Sequence, residues 1–212
     1  MTTFGQLPVY LGKFDFALPE VMYYLYLPIV MDWRSADVRL PGNLWVCRGL
    51  VDACKHYAEE RDYRYVYISA RKGWATPDNP LNRPGWHCDG FGTDDLNFVW
   101  WDGPSTRFAN QQFKGIVPDH NRSLRQFDEQ VDPARVITYP QHGLYALDPS
   151  VVHATPIIEP PGCMRQYVKV SMSDHRYNLE NNSHNYLFNY QWPLYSRTVG
   201  RNNTQADFHE ET

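Results

Sequence analysis

The chain has 212 residues, enough for one domain with a substantial core, and its composition is ordinary for a globular protein, at 42% hydrophobic and 21% charged. A formal charge of −4 supplies no global attraction to nucleic acid, and no apolar run is long enough to span a bilayer. The opening MTTFGQLPVYLGKFDF lacks the basic start and apolar stretch of a secretory signal, so a soluble cytoplasmic protein is expected.

Pro8, Pro19, Pro28 and Pro41 divide the first forty residues into what reads as short strands and turns. Leu44 to Arg61 is predicted helical, because Leu44, Cys47, Leu50, Val51, Cys54 and Ala58 recur at three- and four-residue steps. Cys47 and Cys54 would then lie roughly 10 Å apart along the helix, too far for a disulfide, and free thiols suit a reducing compartment. Tyr63 to Ala70 is a strand by its β-branched and aromatic content. A loop rich in Gly, Pro and Asn runs from Gly73 to Gly85, long enough to suggest the rim of a site.

Leu96 to Trp101 is a second strand candidate. Thr106 to Pro133 is polar and is expected to be an insert with a short helix near Ser123 to Gln130. Val136 to Tyr139, Leu144 to Leu147 and Gln166 to Met172 add further short strands, and after Thr198 the chain is polar enough to fray. Many short strands with few helices predict a mainly β, single-domain sandwich or jelly roll.

Within that frame, His87, Asp89, His153 and Arg165 stand out. On a strand, His87 and Asp89 would share one face while Cys88 points away. His153 follows 64 positions after Asp89 and must arrive from another strand. Two imidazoles and one carboxylate can occupy one face of an iron(II) ion, leaving positions open for a cosubstrate and dioxygen. From Met164 to Met172, alternation sets Arg165, Tyr167, Lys169 and Ser171 on one face and Val168, Val170 and Met172 on the other. A cation on a cavity-facing row needs an anion, and the planar fork of an arginine suits a carboxylate such as the distal one of 2-oxoglutarate.

HCD at 87–89, VHA at 152–154 and Arg165 twelve residues after His153 together resemble the iron(II)/2-oxoglutarate-dependent dioxygenase superfamily. Their order is similar to that of its phytanoyl-CoA hydroxylase-like and prolyl hydroxylase-like branches, over about Trp86 to Ser173. The resemblance implies a double-stranded β-helix, with Fe(II) held by His87, Asp89 and His153 and 2-oxoglutarate anchored by Arg165. It further implies O2-dependent hydroxylation, or demethylation through hydroxylation. Tyr167 stands where many members carry Ser or Thr beside the anchor, and Lys169 is the second-choice anchor, since some branches use a lysine. Halogenating relatives replace the carboxylate with a small residue, so Asp89 points to hydroxylation.

Tyr67, Arg71, Trp101 and Arg107 are the substrate-side candidates, suited to a small molecule, a nucleobase or a peptide side chain. His142 is expected in a turn, His120 without a partner, and Asp94-Asp95 in a solvated loop. Two rivals share the same residues: a cupin-like metalloenzyme that does not use 2-oxoglutarate, and a non-catalytic jelly-roll binding module.

Overall fold

The computed structural model describes residues 3–32 and 37–197. The tail expected to fray after Thr198 lies outside the described residues. Among the described residues, nine strands form two antiparallel sheets. The larger has the order β1 (Val9–Lys13), β7 (Gly143–Leu147), β4 (Leu96–Asp102), β9 (Cys163–Ser173), β3 (Tyr65–Ala75), β2 (Met22–Val30). The smaller has β5 (Arg107–Ala109) between β6 (Val136–Thr138) and β8 (His153–Ala154). Two short helices, α1 (Arg48–Tyr57) and α2 (His120–Gln130), complete a mainly β jelly roll.

The period-two pattern of the central strands explains the layering. Val66, Ile68 and Ala70 of β3, Phe98 and Trp100 of β4, and Val168, Val170 and Met172 of β9 point outward onto α1. They meet Leu50, Val51 and Cys54 from the helix and Leu44 and Cys47 from the 3-10 turn before it. Fully burying each large apolar side chain contributes about 1.5–3 kcal/mol, so this layer is a principal source of stability. The opposite face carries Val99, Trp101, Tyr145, Leu147 and Tyr167, which pack on Phe108 of β5 inside the roll. A third cluster joins Trp86, Cys88, Phe113 and Phe127 with Val152 and Ala154 behind the small sheet.

Several expectations change. The helix is shorter than Leu44 to Arg61: it opens as a 3-10 turn, Gly42–Cys47, and its α-helical part ends at Tyr57. The segment 106–133 is no mere insert, because β5 within it is the middle strand of the small sheet. Three residues are too few to show alternation. Met22–Val30 is one nine-residue strand that accommodates Pro28 because β2 is the sheet edge. All four cysteines are free, and Cys47, Cys54 and Cys88 are buried. No helix among the described residues is long and apolar enough to cross a membrane.

Candidate metal centre

Backbone pairing brings the two histidines together. His87 and His153 form an antiparallel bridge, each amide donating to the other's carbonyl at 2.9 Å. In such a directly opposed pair both side chains leave the same face. The rings lie 4.5 Å apart between centroids. Each Nδ1 faces a carbonyl of its own segment, Gly85 at 3.0 Å for His87 and Val151 at 3.1 Å for His153. A carbonyl only accepts, so Nδ1 carries the proton and, in the neutral ring, Nε2 presents a lone pair. Burial, aided by the neighbouring His153, pulls His87 down to about 3, which keeps it neutral across the physiological range.

Asp89 reaches the same place from a turn, where a strand was expected. The following Gly90 adopts φ 70, and a Cβ there would sit 2.9 Å from that of Asp95. Only glycine fits that bend without displacement. Oδ2 of Asp89 approaches Nε2 of His153 at 3.5 Å. Burial alone would raise the Asp89 carboxyl, but the ammonium of Lys169 beside it outweighs that cost and holds the group well below the usual carboxylate range. Ligand atoms of His87, Asp89 and His153 all lie within 4.8 Å of one another.

The donor set fits a divalent transition metal. A cation about 2.1 Å from each ligand atom sets neighbouring ligands roughly 3 Å apart, close to the spacing of Nε2 and Oδ2. Two lone-pair atoms held that near repel each other, and a cation between them removes the repulsion. His87 and Asp89 are partly accessible while His153 is buried, so one side of the cluster faces outward.

β9 supplies the rest of the interior. Arg165 is 1% exposed. Its Nη1 donates to the Pro80 carbonyl at 3.2 Å and to Oδ1 of Asn82, while buried Nε and Nη2 have no partner. Burial lowers the guanidinium to about 10, which leaves it charged at neutral pH. Its Cζ lies 5.3 Å from the Tyr167 ring. Trp101, cross-strand from Tyr167, also has a buried indole N–H without a partner. Lys169 is 7% exposed and donates to Oδ1 of Asp89 at 2.9 Å and to the Tyr26 hydroxyl at 3.0 Å. Its Nζ is therefore already engaged with the carboxylate of the cluster.

The substrate-side candidates divide. Tyr67 and Trp101 are fully buried. The Tyr67 hydroxyl donates to the His175 carbonyl and accepts from the Tyr177 amide, and its ring stacks on Tyr177 at 4.4 Å. It forms wall. Arg71 and Arg107 stay partly accessible. Arg71 stacks over Tyr23 at 4.1 Å and bonds the Leu81 carbonyl, so it grips the same loop as Arg165. Arg107 lies 5.3 Å from the Trp86 ring and donates to the Thr155 carbonyl.

Three further residues depart from expectation. Asp95 is 2% exposed, because Tyr177 from the C-terminal segment covers it and donates to its carboxylate. Burial raises its pKa accordingly. His120 has a partner, Nη1 of Arg83 at 2.8 Å. Tyr26, which nothing in MYYLYLPIV singles out, reaches Lys169 from a bulge in β2.

No protein-family model and no curated protein sequence matches the chain. Among solved structures, EvdO2 from Micromonospora carbonacea var. aurantiaca aligns with 19% identity and a TM-score of 0.37, over 70% of this chain and 67% of its own. A second EvdO2 structure, complexed with 2-oxoglutarate, aligns equally. HygX from Streptomyces hygroscopicus, with nickel and 2-oxoglutarate bound, aligns with 11% identity and a TM-score of 0.44, over 92% of this chain and 84% of its own.

Proposed function

We propose that this protein is an iron(II)- and 2-oxoglutarate-dependent dioxygenase that hydroxylates an organic substrate, or demethylates it through hydroxylation. One observation carries this. The interior that holds a His/Asp/His cluster also holds a buried guanidinium with two unanswered N–H groups, on the same face of β9 as the lysine that touches Asp89. A buried cation with free donors calls for an anion, and two N–H groups of one guanidinium match a carboxylate. A ligand that spans metal and arginine needs a chelating end and a carboxylate end, which 2-oxoglutarate has.

In this assignment His87 and His153 offer Nε2 and Asp89 offers Oδ2, with both imidazoles oriented by their Nδ1 hydrogen bonds. Arg165 orients the distal carboxylate of the cosubstrate, and Tyr167 supports the guanidinium from below. Phe108, its ring centroid 6.0 Å from that of His153, backs the cluster with an apolar wall shared with Trp101 and Tyr145. With both bound, ferrous ion and 2-oxoglutarate supply the oxidising chemistry, in which O2 is consumed, the 2-oxoacid becomes succinate and CO2, and one oxygen atom reaches the substrate. Arg71 and Arg107, still partly open, are the side chains through which a substrate would be met.

Anaerobic titration with iron(II) and 2-oxoglutarate, followed by optical absorption, tests the assignment. A visible band is expected only when both are present. Arg165→Met should weaken 2-oxoglutarate binding by about 30-fold or more while metal affinity changes less than about twofold. A band with iron alone, or unchanged cosubstrate affinity in the variant, would refute it.

A further inference from the structure

Lys169 is an unusual neighbour for a metal ligand. The Asp89 carboxylate is split between two roles: Oδ2 faces Nε2 of His153 at 3.5 Å, and Oδ1 takes the Lys169 ammonium at 2.9 Å. The ammonium is pinned from the far side by Tyr26, whose hydroxyl is 3.0 Å away and whose ring centroid is 4.8 Å away. Tyr26 is itself fixed by a costly device. Its φ is 47, in the left-handed region, where β2 slips register against β3 between Tyr24 and Leu27. The bulge is tied down by the Tyr26 amide donating to Ser69 Oγ and the Leu25 amide donating to Ser183 Oγ, both at 2.9 Å. The Tyr26 ring also abuts Tyr177 edge-on at 4.9 Å. A strained tyrosine held from three sides leaves its lysine partner little freedom to swing away.

We propose that Lys169 is a resident counter-charge of the metal centre, which keeps the protein's donor set electrically neutral and makes metal retention depend on a dianionic ligand. This rests on the metal assignment above. Imidazoles bind a metal as neutral ligands, so the charges in contact at the donor set are those of Asp89 and Lys169, and they cancel. A divalent ion beside Oδ2 would sit roughly 4–5 Å from the ammonium, close enough in a poorly solvated interior for strong repulsion. A dicarboxylate that binds metal and Arg165 brings two negative charges and relieves it. Metal and dianion therefore strengthen each other's binding, and the effect is reciprocal. Lys169 also holds Oδ1 away from the ion, so Asp89 acts through one oxygen. Lys169 is here a positioning residue, with Tyr26 behind it.

Mn(II) binding measured by titration, with and without 2-oxoglutarate, tests this in the 212-residue chain and three variants, without reference to turnover. Lys169→Met should bind Mn(II) alone at least about tenfold tighter than the wild type, and 2-oxoglutarate should enhance that binding less. Lys169→Gln keeps a hydrogen bond to Asp89 without the charge and should behave like the methionine variant. Lys169→Arg keeps the charge and should behave like the wild type. Should Lys169→Met leave Asp89 too destabilised to fold, the Gln and Arg pair decides. Equal Mn(II) affinity across wild type, Gln and Arg overturns the counter-charge and leaves the metal centre standing. Absence of Mn(II) binding in every form overturns both.

Discussion

At the scale of single residues, Arg165, the proposed carboxylate anchor, occupies a position that costs stability. It sits in the interior with Nε and Nη2 unpartnered, and each unmet buried donor costs about 1–3 kcal/mol. Methionine has similar length and no donor to satisfy. Without ligand, Arg165→Met should unfold at the same urea concentration as the wild type or a higher one, with a gain of up to about 2 kcal/mol. A clear loss of stability would mean that the bonds to Pro80 and Asn82 make Arg165 structural. The sequence made Arg165 conspicuous through its place twelve residues after His153 and through the strand alternation that sets it on a polar row. It gave no sign of Lys169's bond to Asp89, because that contact joins positions 80 residues apart. Tyr26 was invisible for a different reason: a bulge is set by the partner strand and by Ser69 and Ser183, not by the residues of β2 themselves.

At the scale of elements, the legible parts were those with long, regular patterns. The outward row of β9 and the apolar stripe of α1 each repeat often enough to reveal the face they bury. The strand β5 escaped because Arg107–Ala109 has three residues and owes its existence to two neighbours. Yet β8, which carries His153, pairs with β5 through Phe108 and Arg107. Phe108 is fully buried against Trp101 and Tyr139. Phe108→Ala should therefore destabilise the fold by about 3–5 kcal/mol and also weaken the proposed metal binding, since the cavity lies beneath the strand that carries His153. Chemical denaturation and Mn(II) titration on the same sample measure both effects. Lost stability with unchanged metal affinity would show that β8 is held by its bridge to His87 alone.

For the whole molecule, the layer between α1 and the large sheet sets a limit at high pH. Burial pushes the Cys47 thiol up to about 12 and raises that of Cys54 well above its ordinary value. An unfolded chain releases both protons near pH ~8.5, whereas the native state retains them. Their contribution is thus complete below that pH and is lost as pH rises toward 12, at about 1.4 kcal/mol per unit for each thiol. A Cys47→Ala/Cys54→Ala protein should start less stable but decline more gently between pH 8.5 and 10.5. Parallel stability curves would remove the buried thiols as the cause.

The bridge between His87 and His153 has one more consequence. Their backbones exchange two hydrogen bonds, and each ring is steered by a carbonyl of its own segment, all without help from an ion. The placement of the two imidazoles is thereby cast by the chain itself. Under the proposed metal assignment, removing the ion with a chelator should leave the circular dichroism of the protein unchanged, and metal should return to a site of the same shape with no folding step in between.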